Sequence, residues 1–227
     1  MISLLLACTE AAKSPSESQP VHDSADSSTD SSTDTSDSTE DRFPTGDPFA
    51  DAVISFSPGE GAGYGQDSYP TVVLGSPEAP GTGGGSLDVL SLGKQGEIVL
   101  AFTDYGLVDG EGPDLLVFEN PFTGWYEPGR VAVSDDGINW MEWPCDPADA
   151  SGVYPGCAGV ALVYANSSNG IDPTDPATAG GDAFDLADLG ITQARYVRIQ
   201  DGGLADYSGN SGGFDLDALA VIHETPL

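Results

Sequence analysis

Past Phe43 the chain is a succession of short apolar or alternating runs, each cut off by Gly, Pro, Asn or Asp, and this punctuation constrains the fold more than any other feature. A helix needs an apolar stripe sustained at 3.6-residue spacing, and that periodicity is almost absent. Short runs between turn formers read instead as the strands of an all-β sandwich or barrel. Candidate strands lie at residues 53–57, 86–92, 97–103, 114–119, 130–134, 160–164, 195–200 and 214–223. Within 97–103, Ile98, Leu100 and Phe102 alternate with Glu97, Val99 and Ala101, so one face is expected to be buried. Residues 182–189 form the one helix-like piece, with Phe184, Leu186 and Leu189 near helical spacing, suited to a turn crossing the end of a sandwich.

Before Phe43 nothing can build a core. Residues 9–42 repeat Ser, Thr and Asp, as in Ser27-Ser28-Thr29-Asp30-Ser31-Ser32-Thr33-Asp34. Low hydrophobicity and like charges predict a disordered, solvated N-terminal tether spanning at least ~30 Å. The remaining residues, 43–227, have room for one β-rich domain and no second core. At the very start, Leu5-Leu6-Ala7-Cys8 resembles the lipobox of bacterial lipoproteins. The resemblance covers four positions and implies lipidation of Cys8 after cleavage before it. Because the first basic residue is Lys13, residues 1–8 read as the end of a secretion signal whose basic region lies earlier. The expected location is therefore the bacterial envelope, outer membrane or cell surface, with the membrane met through the lipid anchor alone.

Charge narrows the partners. Six Lys and Arg face 37 Asp and Glu, a formal net charge of −31, which repels phosphate backbones and excludes a nucleic-acid ligand. Cations and a salty or extracellular medium suit such a surface. The three cysteines divide into Cys8 and the pair Cys145 and Cys157, twelve apart in a Pro/Gly-rich stretch. In an oxidising compartment that pair is expected to form a disulfide closing a short loop, worth about 3 kcal/mol on the chain-entropy argument. Two unpaired thiols are the alternative.

Two longer segments carry a fold resemblance. Val131-Ala132-Val133-Ser134-Asp135-Asp136-Gly137-Ile138-Asn139-Trp140 and Ala194-Arg195-Tyr196-Val197-Arg198-Ile199 resemble the strand–turn–strand and penultimate-strand patterns of discoidin-type, galactose-binding-like jelly rolls. Asp136-Gly137 is itself a tight-turn signal, and Trp140 is expected to plug a core position. Residues 87–93, 114–120 and 212–218 are together similar to a family of uncharacterised bacterial cell-surface proteins. Both resemblances imply a jelly-roll-like β-sandwich and secretion, and neither implies an activity.

The sharpest candidate site is 206–217, where Asp206, Ser208, Asn210 and Asp217 supply oxygen at positions 1, 3, 5 and 12 and Gly212 offers a carbonyl at 7. That is the ligand rhythm of a Ca²⁺ loop. Ser211 at position 6, Asp at 12 and the lack of flanking helices make an EF-hand improbable. If 214–223 is a strand, Asp215 and Asp217 share a face with Leu219 and Val221, so two carboxylates meet a buried surface and need a partner. From Phe43 onward 28 Asp and Glu face Lys94, Arg130, Arg195 and Arg198, too few cations to pair them. Asp114, Glu119 and Asn120, bracketing another strand, and Asp201 are further candidate ligands, with Ca²⁺ the expected cofactor. The alternative is carboxylates that cap turns through backbone amides, with Arg198 as an ion partner.

Catalytic patterns are weak by comparison. Gly209-Asn210-Ser211-Gly212-Gly213 echoes a serine-protease loop, but His22 lies in the tether and His223 beside the C-terminus, and a triad needs an oriented base. Zinc-ligand spacing is missing, and Gly81-Thr82-Gly83-Gly84-Gly85 lacks the Lys-Ser/Thr ending of a phosphate loop. Aromatic residues in turn-rich stretches fit sugar stacking better: Trp125, Tyr126 and Tyr207 are the candidate ligand-binding residues, with packing over the sandwich ends as the alternative. The resulting expectation is a non-enzymatic, surface-anchored, calcium-stabilised module, binding or structural, whose partner is glycan, extracellular matrix or another envelope protein. The rival reading is a secreted polysaccharide hydrolase using two carboxylates in a deep cleft, one with a raised pKa.

Overall fold

The computed structural model describes residues 46–79, 85–203 and 209–227. Cys8, the tether at 9–42, and Asp206 and Tyr207 lie outside these residues. Twelve strands follow one another: β1 (Ala52–Ser57), β2 (Leu90–Ser91), β3 (Glu97–Ala101), β4 (Tyr105–Val108), β5 (Leu115–Glu119), β6 (Gly129–Ser134), β7 (Met141–Glu142), β8 (Asp182–Phe184), β9 (Gln193–Ala194), β10 (Tyr196–Asp201), β11 (Asp215–Val221) and β12 (Glu224–Pro226). They form a five-stranded sheet, β1-β3-β10-β6-β7, a four-stranded sheet, β2-β11-β5-β8, and a small sheet, β12-β4-β9. Every strand pair is antiparallel. Neighbours such as β3 and β10 or β2 and β11 are far apart in sequence, as the crossing connections of a jelly-roll-like sandwich require.

The two larger sheets enclose the main core. Ile98 and Leu100 of β3, Val131 and Val133 of β6, and Val197 and Ile199 of β10 meet Leu115 and Val117 of β5 and Leu216, Leu219 and Val221 of β11. A second apolar layer covers the other face of the four-stranded sheet, where Leu116, Phe118, Ala218 and Ala220 pack beneath Val163, Ala165 and Ala179. With both faces covered, β5 and β11 are buried along their whole length. This is why they read as near-continuous apolar runs.

The expected alternation in β11 breaks at a bulge. Leu216 pairs with Glu119 and Ala218 with the next residue back, Phe118, so Asp217 has no partner in the register. One extra residue changes which side chains are in phase. Leu216, and not Asp215 or Asp217, lines the main core with Leu219 and Val221. Asp215 therefore lies on the side opposite Leu216, and Asp217 accepts from the Glu78 backbone N–H, next to Ala79 of the second layer.

Other expectations shift for similar local reasons. Val99 and Ala101 are buried as well as Ile98 and Leu100, because β3 is flanked on both sides and its register partners Arg198 and Tyr196 share that face. Residues 86–92 contribute only Leu90–Ser91 as strand, and 160–164 only a bridge from Val163 to Gly180. The helix-like piece divides: 182–184 pair with β5, and Asp185 then caps a 3-10 turn at Leu186–Leu189 through the Ala187 N–H. Trp140 is half-exposed with the Arg198 guanidinium 4.9 Å from its ring centre, so it sheathes the sheet's outer surface instead of plugging the core. Trp143 takes the core position, its indole N–H donating to the Asp185 carbonyl and its ring 5.0 Å from that of Phe184.

Candidate functional site

Asp114, Glu119, Asp201, Asp215 and Asp217 are all buried. Arg130 and Arg198 are not spent on them: both pair with Glu142, and Arg198 also with Glu97, on the outer surface of the five-stranded sheet. Each buried acid therefore has to find other compensation, and they do so unequally.

Asp201 is satisfied by backbone alone. Its carboxylate accepts from the N–H groups of Gln95 (2.8 Å), Gly203 (2.7 Å) and Phe214 (2.9 Å), fixing the chain on both sides of the β10–β11 connection. Among the described residues, Asp217 accepts from Glu78 N–H alone, at 3.1 and 3.2 Å. Burial, reinforced by Asp88 and Glu78, pushes its pKa up to about 8. Asp114, just before β5, accepts from Gly110 and Leu186 N–H groups at 2.8 Å each, and its Oδ1 is 2.8 Å from His223 Nδ1. With Asp109 and Asp185 it forms a group of three carboxylates whose oxygens lie within 4.8 Å of one another, an arrangement that could hold a metal ion.

The other end of β5 is different. Glu119 is 2% exposed, and its Oε1 accepts from Asp215 N–H at 3.3 Å. Its Oε2 is buried with no hydrogen-bond partner among the described residues, and so is Oδ1 of the adjacent Asn120. Asp215 accepts from the Ser91 hydroxyl and from the Asn120 side chain. Asp182 accepts from three successive backbone amides, Gly159 at 2.7 Å and Val160 and Ala161 at 3.1 Å. Desolvation raises the Glu119 pKa well above the usual carboxylate range, and the charges of Asp215, Glu127 and Asp182 add to it. Burial likewise brings Asp215 and Asp182 to about 6.

Glu119 and Asn120 line a cavity of about 10 Å³, closed by Gly85, Ser86, Pro121 and Leu162. That is room for one water-sized particle and far less than a sugar ring needs. Gly85 fits only because it lacks a side chain; a Cβ there would fall 1.8 Å from Asn120 Oδ1. Sequence reading named Glu119, Asn120 and Asp215 as ligand candidates, and the fold brings these together. It leaves Asp114 and Asp217 at separate places, sets Asp201 near enough for its charge to raise the Asp215 pKa while accepting from the adjacent Phe214 N–H, and exposes Asn210. Asp182 escaped notice, since nothing near it in sequence signals that β8 runs beside β5.

Immediately after Asn120 the chain forms a tight hairpin. Phe122 and Trp125 exchange backbone hydrogen bonds of 3.2 and 2.8 Å across Thr123-Gly124, with Gly124 at φ +82°. Trp125 is 55% exposed and Phe122 46%. Tyr126 is half-buried, its ring edge-on to Tyr154 at 6.3 Å. Cys145 and Cys157 form the expected disulfide, with Cα atoms 4.7 Å apart. Beside it an open hollow of about 630 Å³ is lined by Arg130, Glu142, Trp143 and Pro155. Asp136-Gly137 makes the expected turn after β6: Asp136 accepts from Ile138 and Asn139 N–H, which hold its carboxyl well below the usual range.

Comparison with known proteins adds little to this geometry. No family model matches the chain, and no curated protein matches it in sequence. Among solved structures it is similar to the C-terminal domain of a chitobiase from Bacteroides fragilis, at 13% identity and a TM-score of 0.34, covering 78% of this chain and 94% of that one.

Proposed function

We propose that this chain is a non-catalytic β-sandwich module, stabilised by calcium and displayed on the bacterial envelope, which binds glycan through the Phe122–Trp125 hairpin. The observation that carries the reading is the hairpin itself. It holds two aromatic residues about half exposed on a turn tied by its own backbone, where burial would normally claim them. A flat aromatic face kept exposed on a rigid support is what stacking on the apolar face of a sugar ring requires. The discoidin-type resemblance fits as well, since its two segments fall in β6 with its following turn and in β10, which pair in one sheet. Lipidation of Cys8 and a disordered tether would place the hairpin away from the membrane.

Calcium enters through the buried acids, which outnumber the cations that could reach them. The hydrolase reading draws no support from the Glu119–Asp215 pair, because its cavity cannot admit a sugar. The test is binding of the protein to a panel of insoluble polysaccharides, comparing wild type with Trp125→Ala and Phe122→Ala. Retention of wild type on at least one glycan, lost in both variants without a change in thermal midpoint, is the expected result. Binding that survives both substitutions would remove the hairpin from the account.

A further inference from the structure

We propose that the Glu119 end of β5 is a binding site for a single Ca²⁺ ion, held by Glu119 Oε2 and Asn120 Oδ1, with the charge of Asp215 nearby and water completing the shell. The site gives a location to the calcium stabilisation proposed above and rests on that reading. Three observations converge on it. Glu119 is an almost wholly buried side chain with one oxygen unpartnered among the described residues, and such an atom costs free energy unless something meets it. A second buried oxygen, Asn120 Oδ1, unpartnered among the described residues, belongs to the next residue. Both residues line a cavity sized for one water or one bare ion.

The donor set selects the ion. Both groups offer oxygen, and the Glu119 carboxylate with the nearby Asp215 charge balances one divalent cation. Ca²⁺ takes six to eight oxygens in flexible geometry, whereas Mg²⁺ demands a tight octahedron and sheds water reluctantly, and zinc prefers nitrogen and sulfur. The competing account is a neutral Glu119 beside a trapped water. The carboxylate group at Asp109, Asp114 and Asp185 is the competing location, but both oxygens of Asp114 there already have partners.

Calcium binding by the metal-free full chain at pH 7.5, measured by titration calorimetry together with the thermal midpoint, tests the site. Glu119→Gln and Asn120→Ala should each weaken Ca²⁺ affinity at least tenfold and lose the calcium-induced rise in midpoint. Asp109→Asn should keep both. In chelator Glu119→Gln should melt at or above wild type, because a neutral amide replaces a desolvated acid; a merely structural glutamate would melt lower. Wild-type affinity in both variants would overturn the site while leaving calcium binding elsewhere, and loss in Asp109→Asn alone would move the ion to that cluster. A wild-type chain indifferent to Ca²⁺ would overturn the site and the calcium reading together. Should Glu119→Gln fail to fold, Asn120→Ala, whose side chain is at the rim, decides.

Discussion

The two ends of β5 bury a carboxylate each, and they solve the same problem in opposite ways. At Asp114 every oxygen has a donor: two backbone amides and the His223 ring. At Glu119 one oxygen has a single long hydrogen bond and the other has none among the described residues. The difference teaches that burial alone does not mark a site. What distinguishes Glu119 is unmet acceptor capacity beside further acids: one long bond from the Asp215 amide reaches Oε1, and Oε2 has no partner among the described residues.

Removing the acid should therefore have opposite consequences at the two ends. Asp114→Ala strands the Gly110 and Leu186 amides and the His223 ring, and is expected to cost about 3–5 kcal/mol of stability in urea unfolding, with or without calcium. A cost under about 1 kcal/mol would break the contrast. The pH response comes next. Glu119, Asp215 and Asp182 have folded pKa values above their unfolded ones, the last two at about 6, and Asp217 is at about 8. The folded state thus binds more protons than the unfolded state over that window. The stability these groups contribute in chelator is fully present below about pH 4 and is lost as pH rises toward 8. Unfolding at fixed ionic strength across pH 4.5 to 8 measures this, and a rise of stability with pH attributable to these acids would contradict it.

Reduction of the Cys145–Cys157 bridge should cost about 3 kcal/mol on the loop-entropy argument, and equally in calcium and chelator, because the bridge belongs to neither end of β5. A calcium-dependent cost would show that the contrast is not local. Glu119→Gln in chelator should be neutral or stabilising by about 1 kcal/mol, a small effect whose sign is the informative part. Smallest of all, Trp125→Ala should change stability by less than about 0.5 kcal/mol, since the residue is 55% exposed.

How much of this the sequence made legible follows from how local each cause is. Punctuated runs located β1, β3, β5, β6, β10 and β11, because strand patterning is written within a few residues. The Asp136-Gly137 turn and the Cys145–Cys157 bridge were legible for the same reason. β8 was not, since Asp182–Phe184 becomes strand only by pairing with β5, and its residues also fit a helical spacing. The phase of Asp215 and Asp217 was misread because a bulge is a property of two strands in register and one strand's sequence does not contain it. Trp140 and Trp143 looked alike as aromatic residues after a turn; what separates them is Arg198, reaching Trp140 from β10 beyond β6, and Phe184 beside Trp143. For the site, sequence could nominate acids in excess of cations, but not which acids would be left with a bare oxygen.

The measurement that tests the central claim most directly is the calcium-induced rise in thermal midpoint of the full chain as a function of pH. If Ca²⁺ binds where protons otherwise compensate Glu119 and Asp215, ion and proton compete, and the rise should grow from pH 5.5 to pH 7.5 with protons released on binding. A rise of equal size at both pH values, or none at either, would contradict a calcium ion bound at these desolvated carboxylates.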